Sequence, residues 1–176
     1  MTKSEDTTGL VHIYTGDGKG KTTAALGLAM RAAGQGLKVL FVQFVKGDSN
    51  CGEHFFVKKY RPFEIVQLNS KSSFQQTPEE LRTEAEKTMN YVEEVVFKEK
   101  YDMVVLDELC YALSQGALPL QRVLNLLRKK PRPLELILTG RSAPQELIEQ
   151  ADLVTEMRQI KHPFEKGIKS RKGIEY

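Results

Sequence analysis

Residues 9–23 read GLVHIYTGDGKGKTT: a short apolar run, a glycine-rich turn, then lysine and threonine opening the alanine- and leucine-rich stretch 22–34. A strand that runs into glycines and out into a helix is the setting of a phosphate loop, G-x-x-x-x-G-K-[ST]. Gly16, Gly18 and Gly20 permit backbone angles that side chains forbid, so successive N–H groups can turn inward toward phosphate oxygens. The following helix adds its positive end at the same place. Lys21 supplies a full charge, and the Thr22 hydroxyl is placed to hold Mg²⁺. Asp17, Lys19 and Thr23 complete the nucleotide-binding stretch. One position departs from the pattern: Thr15 stands where the leading glycine belongs.

Outward from this loop, apolar runs and helical patterns alternate. Strands are expected at 9–15, 38–44, 63–68, 102–109, 134–142 and 153–160, and helices at 22–34, 119–130 and 143–151. A further helix opens at Thr77, an N-cap followed by Pro78 and by Glu80 to complete a capping box. Leu81, Ala85, Val92 and Val96 fall on one face of it. The pattern predicts a single α/β domain over 1–176, of which 1–9 form a short polar N-terminal arm. It is a phosphate-loop nucleotide-binding fold, with a mostly parallel sheet covered by helices on both faces. Ligands bind outside the carboxyl ends of such strands. The stretches 46–62 and 69–76 read as long irregular loops over that face.

A phosphate loop needs an acid at the end of a neighbouring strand, and MVVLDEL (103–109) provides Asp107 and Glu108. One carboxylate there would complete the coordination of Mg²⁺, which takes oxygen ligands and keeps several waters. Arg141, at the tip of the run ILTGRS, faces the same site, and its planar fork suits phosphate oxygens. These motifs leave hydrolysis open. A phosphate-loop ATPase of motor or switch type would also use an Asp-Glu pair, and a nucleotide-binding partner protein would use the same fold.

Composition narrows the class. The chain has 176 residues, 40% hydrophobic and 28% charged, with a net charge of +3; that is an ordinary globular balance and too slight a charge to imply nucleic acid. No apolar run approaches the ~18–20 residues of a membrane span. The N-terminus, MTKSEDTTG, lacks the apolar stretch of a signal peptide, so a cytoplasmic location is expected. Cys51 and Cys110 have no metal-binding spacing and read as idle thiols.

Taken together, these stretches resemble the phosphate-loop corrinoid adenosyltransferases of the ATP:cob(I)alamin type, over nearly the whole chain. YTGDGKGKTTAALGLAMRAAGQG resembles that family's nucleotide loop and first helix, the missing leading glycine included. VQFVKGDSNCGE (42–53) resembles its second-strand signature, and MVVLDEL, ILTGR and ADLVTEMRQIKHPFEKGIKSRKGIEY follow in order. The resemblance implies transfer of the 5′-deoxyadenosyl group of ATP to reduced cobalt in a corrinoid, with release of inorganic triphosphate. It implies ATP and a corrinoid as substrates, Mg²⁺ or Mn²⁺ as the metal, a reduced flavoprotein as electron donor and a homodimer. Gly16 to Thr23 and Arg141 would hold the nucleotide, Lys21 and Glu108 would serve the reaction, and Thr22, Asp107 and Glu108 the metal. The family's glycine-phenylalanine-x-tryptophan run is SKSSFQQT here, and the chain has no tryptophan. Phe74 is the candidate to cover the cobalt face in its place. Among the histidines, His12 reads as packed within a strand. His54 and His162 fall in ligand-facing segments, but the family's chemistry favours cobalt stripped of its lower ligand.

Overall fold

A computed structural model of the chain describes residues 8–45, 50–69, 76–98 and 101–176. Within these, six strands form one parallel sheet: β1 (Val11–Thr15), β2 (Val39–Gln43), β3 (Glu64–Gln67), β4 (Met103–Asp107), β5 (Glu135–Thr139) and β6 (Leu153–Glu156). The order across the sheet is β3-β2-β4-β5-β1-β6. Pairing β1 with β5 and β2 with β4 brings the strand ends that carry the phosphate loop, Asp107 and the Arg141 turn to one rim.

The inner strands are apolar on both sides because both faces are covered. On one face Val39, Phe41, Met103, Val105 and Ile137 pack beneath Ala25, Ala29 and Ala32 of helix α1 (Lys21–Gly34). The small alanines let the helix lie close to the strands. On the other face Leu40, Val42, Val104, Leu106, Leu136 and Leu138 form the larger core. Helices α3 (Pro78–Lys98), α5 (Leu120–Lys129) and α6 (Gln145–Gln150) contribute apolar side chains to it. Leu81, Ala85, Val92 and Val96 of α3 are buried as their spacing predicts, with Met89 and Val95 beside them. The capping box forms: Glu80 N–H donates to Thr77 Oγ1, and Thr77 N–H to the Glu80 carboxylate.

Three expectations are corrected. The stretch 46–62 is not irregular throughout, since Gly52–Tyr60 forms helix α2. Only Val57 of α2 is buried, so no apolar stripe announces it. Its charges do, with Glu53 in the first turn and Lys58 and Lys59 in the last, each favourable to the helix dipole. The run 102–109 is not one strand either. Glu108 takes φ 60°, breaking the strand after Asp107 and starting helix α4 (Leu109–Ser114). The last strand ends at Glu156, short of the expected 160. Phe74, the Lys-Gly of the second-strand signature and most of SKSSFQQT lie outside the described residues. Among the described residues, no helix is long and apolar enough to cross a membrane.

Candidate nucleotide site

The phosphate loop spans the gap between β1 and α1, with Gly16 at φ 92° and Gly20 at φ 123°. Glycine is required here for space as well as angle. A Cβ on Gly16 or Gly18 would stand 2.5 or 2.7 Å from the carbonyl oxygen of Met157. That residue follows β6 and is stitched to the loop twice: Met157 N–H donates to Thr15 O at 2.8 Å, and Gly18 N–H donates to Met157 O at 2.7 Å. The Gly18 N–H is therefore engaged within the protein, and the loop is held from its outer side.

Thr15 is a working part of this frame. Its hydroxyl accepts the Ala143 N–H at 3.2 Å, joining the start of the loop to the turn after β5. Gly140 makes that turn sharp, with φ 135° and no room for a Cβ, which would lie 2.6 Å from Tyr111 N. The turn carries Arg141 to the cleft.

Lys21 is buried, and its ammonium donates to Gly16 O and Gly18 O at 2.6 and 2.7 Å. Burial pulls its pKa below the ordinary lysine value. The negative charge of Glu108 pushes it back up, and Arg141 adds to the lowering. Opposed charges thus converge on one ammonium, and they come from the loop, β4 and the β5 turn.

Asp107 lies behind Thr22, fully buried. Its Oδ1 accepts from Thr22 Oγ1 at 2.9 Å and from Thr139 Oγ1 at 2.6 Å, and Thr139 in turn accepts the Glu108 N–H at 3.0 Å. Among the described residues no group of three or more His, Cys, Asp or Glu side chains could cage a metal ion. A threonine hydroxyl and a carboxylate at one point are hard oxygen donors. They fit Mg²⁺, which binds through one or two protein oxygens plus substrate phosphates and water.

A cleft of about 710 Å³ opens over these groups. Of the residues singled out in the sequence, Asp17 through Thr23, Glu108 and Arg141 line it. Gly16 and Asp107 do not; the first packs against Met157, the second supports Thr22 from beneath. Apolar side chains line the same cleft: Leu26 and Met30 of α1, Phe56 and Val57 of α2, and Phe63.

Several participants were not among the candidate site residues. Ile174, Glu175 and Tyr176 line the cleft because the C-terminal segment folds back over the loop. Lys19 Nζ meets Glu175 Oε1 at 2.8 Å and the Ile174 carbonyl at 3.3 Å. Arg171 donates to the same carboxylate through its backbone N–H, Nε and Nη2. Arg171 of the C-terminal segment and Lys19 of the loop thus share an acid of the chain's own. The other absentee is Gln43, a fully buried amide at the end of β2 that bonds His54. His162 also lines the cleft, and its Nδ1 accepts the Phe164 N–H. His12 sits within the sheet beside Glu135, 2.8 Å away. Cys110 is a buried thiol, pushed up to about 12 by burial and by Glu108.

Residues 7–176 match the model of the family described as ATP:corrinoid adenosyltransferase BtuR/CobO/CobP. The corrinoid adenosyltransferase of Escherichia coli K12 is 35% identical over 176 residues, covering all of this chain and 90% of the relative. That of Pseudomonas aeruginosa is 35% identical, covering all of this chain and 88% of the relative. That of Salmonella typhimurium LT2 is 34% identical, with coverage of 100% and 90%. Among solved structures, the flagellar accessory protein FlaH of Methanocaldococcus jannaschii aligns with a TM-score of 0.50 at 10% identity. It covers 85% of this chain and 71% of its own, a likeness of fold alone.

Proposed function

The chain belongs to the ATP:corrinoid adenosyltransferase family, and from that premise we propose that it moves the 5′-deoxyadenosyl group of ATP onto the cobalt(I) of a reduced corrinoid. In this step cobalt(I) supplies both electrons of the new cobalt–carbon bond. The C5′–O bond breaks, and its electron pair leaves with inorganic triphosphate. Cobalt(I) is already a strong nucleophile, so the site needs no general base. It needs in-line placement of two substrates and stabilisation of the charge left on the departing group.

The observation that carries this reading is a single cleft lined both by the phosphate loop, Glu108 and Arg141 and by the apolar side chains of Leu26, Met30, Phe56, Val57 and Phe63. The polar groups suit a triphosphate; the apolar ones suit a bulky, partly apolar second substrate. Lys21 is the principal fixed charge for the phosphates, with Arg141 at the rim. Thr22 and Asp107 would hold Mg²⁺ or Mn²⁺, with Glu108 near it, and a bound ion would supply further positive charge to the leaving triphosphate. The acids then serve the metal and need not activate water. Lys19 contributes only what its bond to Glu175 leaves available.

Phe74 is proposed, on the resemblance, to cover the cobalt face. A reduced flavoprotein donor, a homodimer and a cytoplasmic location belong to the same reading. The test is incubation with ATP, Mg²⁺ and chemically reduced corrinoid. Formation of a light-sensitive cobalt–carbon bond is expected, and its absence with a folded protein would refute the proposal.

A further inference from the structure

Gln43 is the one polar residue in an otherwise apolar strand, fully buried where β2 ends. A buried amide is costly unless bonded, and this one lies between two groups of different purpose. Its Nε2 faces Asp107 Oδ2 at 3.5 Å, and its Oε1 lies 2.7 Å from His54 Nε2. The ladder sets Gln43 directly opposite Asp107, and the Phe44 N–H donates to the Asp107 carbonyl, fixing that register. With the amide nitrogen turned to the carboxylate, its oxygen must accept, so His54 Nε2 carries the hydrogen. Donation thus runs in one direction, from His54 to Gln43 to Asp107, while Thr22 and Thr139 donate to the other carboxylate oxygen.

His54 belongs to α2, the helix whose Gly52, Glu53, Phe56 and Val57 form part of the cleft wall. Only Val57 of that helix is buried, and the His54–Gln43 bond ties the helix to the end of β2. We propose that His54 and Gln43 are positioning residues that lock the cleft wall to the metal-facing carboxylate, so that the seating of α2 tunes the affinity for Mg²⁺·ATP. The inference rests on Asp107 serving the metal, as proposed above.

Partners one step behind a metal ligand are commonly worth about 10–100-fold in metal affinity. His54 stands a further bond away and acts across a long Gln43–Asp107 contact, so a change of about 3–10-fold is expected. The experiment measures the Mg²⁺ concentration at half-maximal ATP binding by calorimetry, without corrinoid, in wild type, His54→Leu, His54→Gln and Asp107→Asn. Thermal midpoints are recorded alongside. Asp107→Asn should raise the Mg²⁺ midpoint most. His54→Leu should raise it about 3–10-fold, and His54→Gln, whose amide can donate from the same place, should return it to within about twofold of wild type. A His54→Leu midpoint equal to wild type while Asp107→Asn shifts would overturn the tether. A shift that His54→Gln fails to rescue would assign His54 to packing and overturn it too. If Asp107→Asn itself has no effect, the metal reading fails first, and the tether falls with it.

Discussion

Ala143 donates its N–H to the Thr15 hydroxyl at 3.2 Å, across 128 residues of sequence. The residue that replaces the leading glycine of the phosphate loop is thereby bonded to the turn that presents Arg141. Thr15→Val keeps the shape and deletes the bond, leaving the Ala143 N–H without this partner. The expected loss is about 1 kcal/mol, roughly 2–4 °C in thermal midpoint for a chain of this size. Urea denaturation measures it, and an unchanged midpoint would show that the bond contributes nothing.

Lys21 is the buried cation of the loop, so its removal strikes the leaving group directly. Lys21→Ala should lower the transfer rate by about 10²–10³, the usual cost of one well-placed electrostatic group. Single-turnover kinetics on the folded variant test this; retention of a third of the wild-type rate would remove Lys21 from its assigned role.

Glu108 follows Asp107 with a left-handed backbone and faces the cleft. If it serves the metal, Glu108→Gln should raise the Mg²⁺ requirement and slow transfer without turning the protein into an ATP trap. The measurement is initial rate against Mg²⁺ concentration. A curve superimposable on wild type would count against the role.

How far the site was legible in the sequence depends on how local each signal is. Strand, glycines, Lys21 and Thr22 are contiguous, and the Asp107 and Arg141 strand ends are each announced by a buried apolar run. Helix α2 has one buried residue and no apolar period, so only Glu53 in its first turn and Lys58 and Lys59 in its last mark it in the sequence. Glu108 was read as strand because the apolar run continues into α4, and only its positive φ separates the two. Gln43 sits inside the apolar run 38–44, where a lone amide gives no sign of what it will meet. Met157 and Glu175 act through contacts with the loop more than 130 residues earlier, which no spacing rule reaches.

Glu175 offers a pH-dependent test of that last contact. Arg171 first, then Lys19, holds its carboxyl down to about 2. A depressed carboxylate stabilises docking above the ordinary carboxylate range, and that contribution is lost as pH falls toward about 2. At neutral pH the pairing is therefore fully present, and Glu175→Gln should remove it. Tryptic cleavage after Arg171 and Lys172 should quicken in the variant while the thermal midpoint stays put. Equal cleavage rates would mean that the segment docks without Glu175.

The central claim is that C5′, not the γ-phosphate, is attacked, and the fate of the phosphates decides it. With ATP labelled in the γ position, Mg²⁺ and chemically reduced corrinoid, the account predicts one labelled triphosphate for each light-sensitive adenosylcorrinoid formed. Label recovered as inorganic phosphate in step with ADP, with no new cobalt–carbon bond, would contradict it and identify a phosphate-loop ATPase instead.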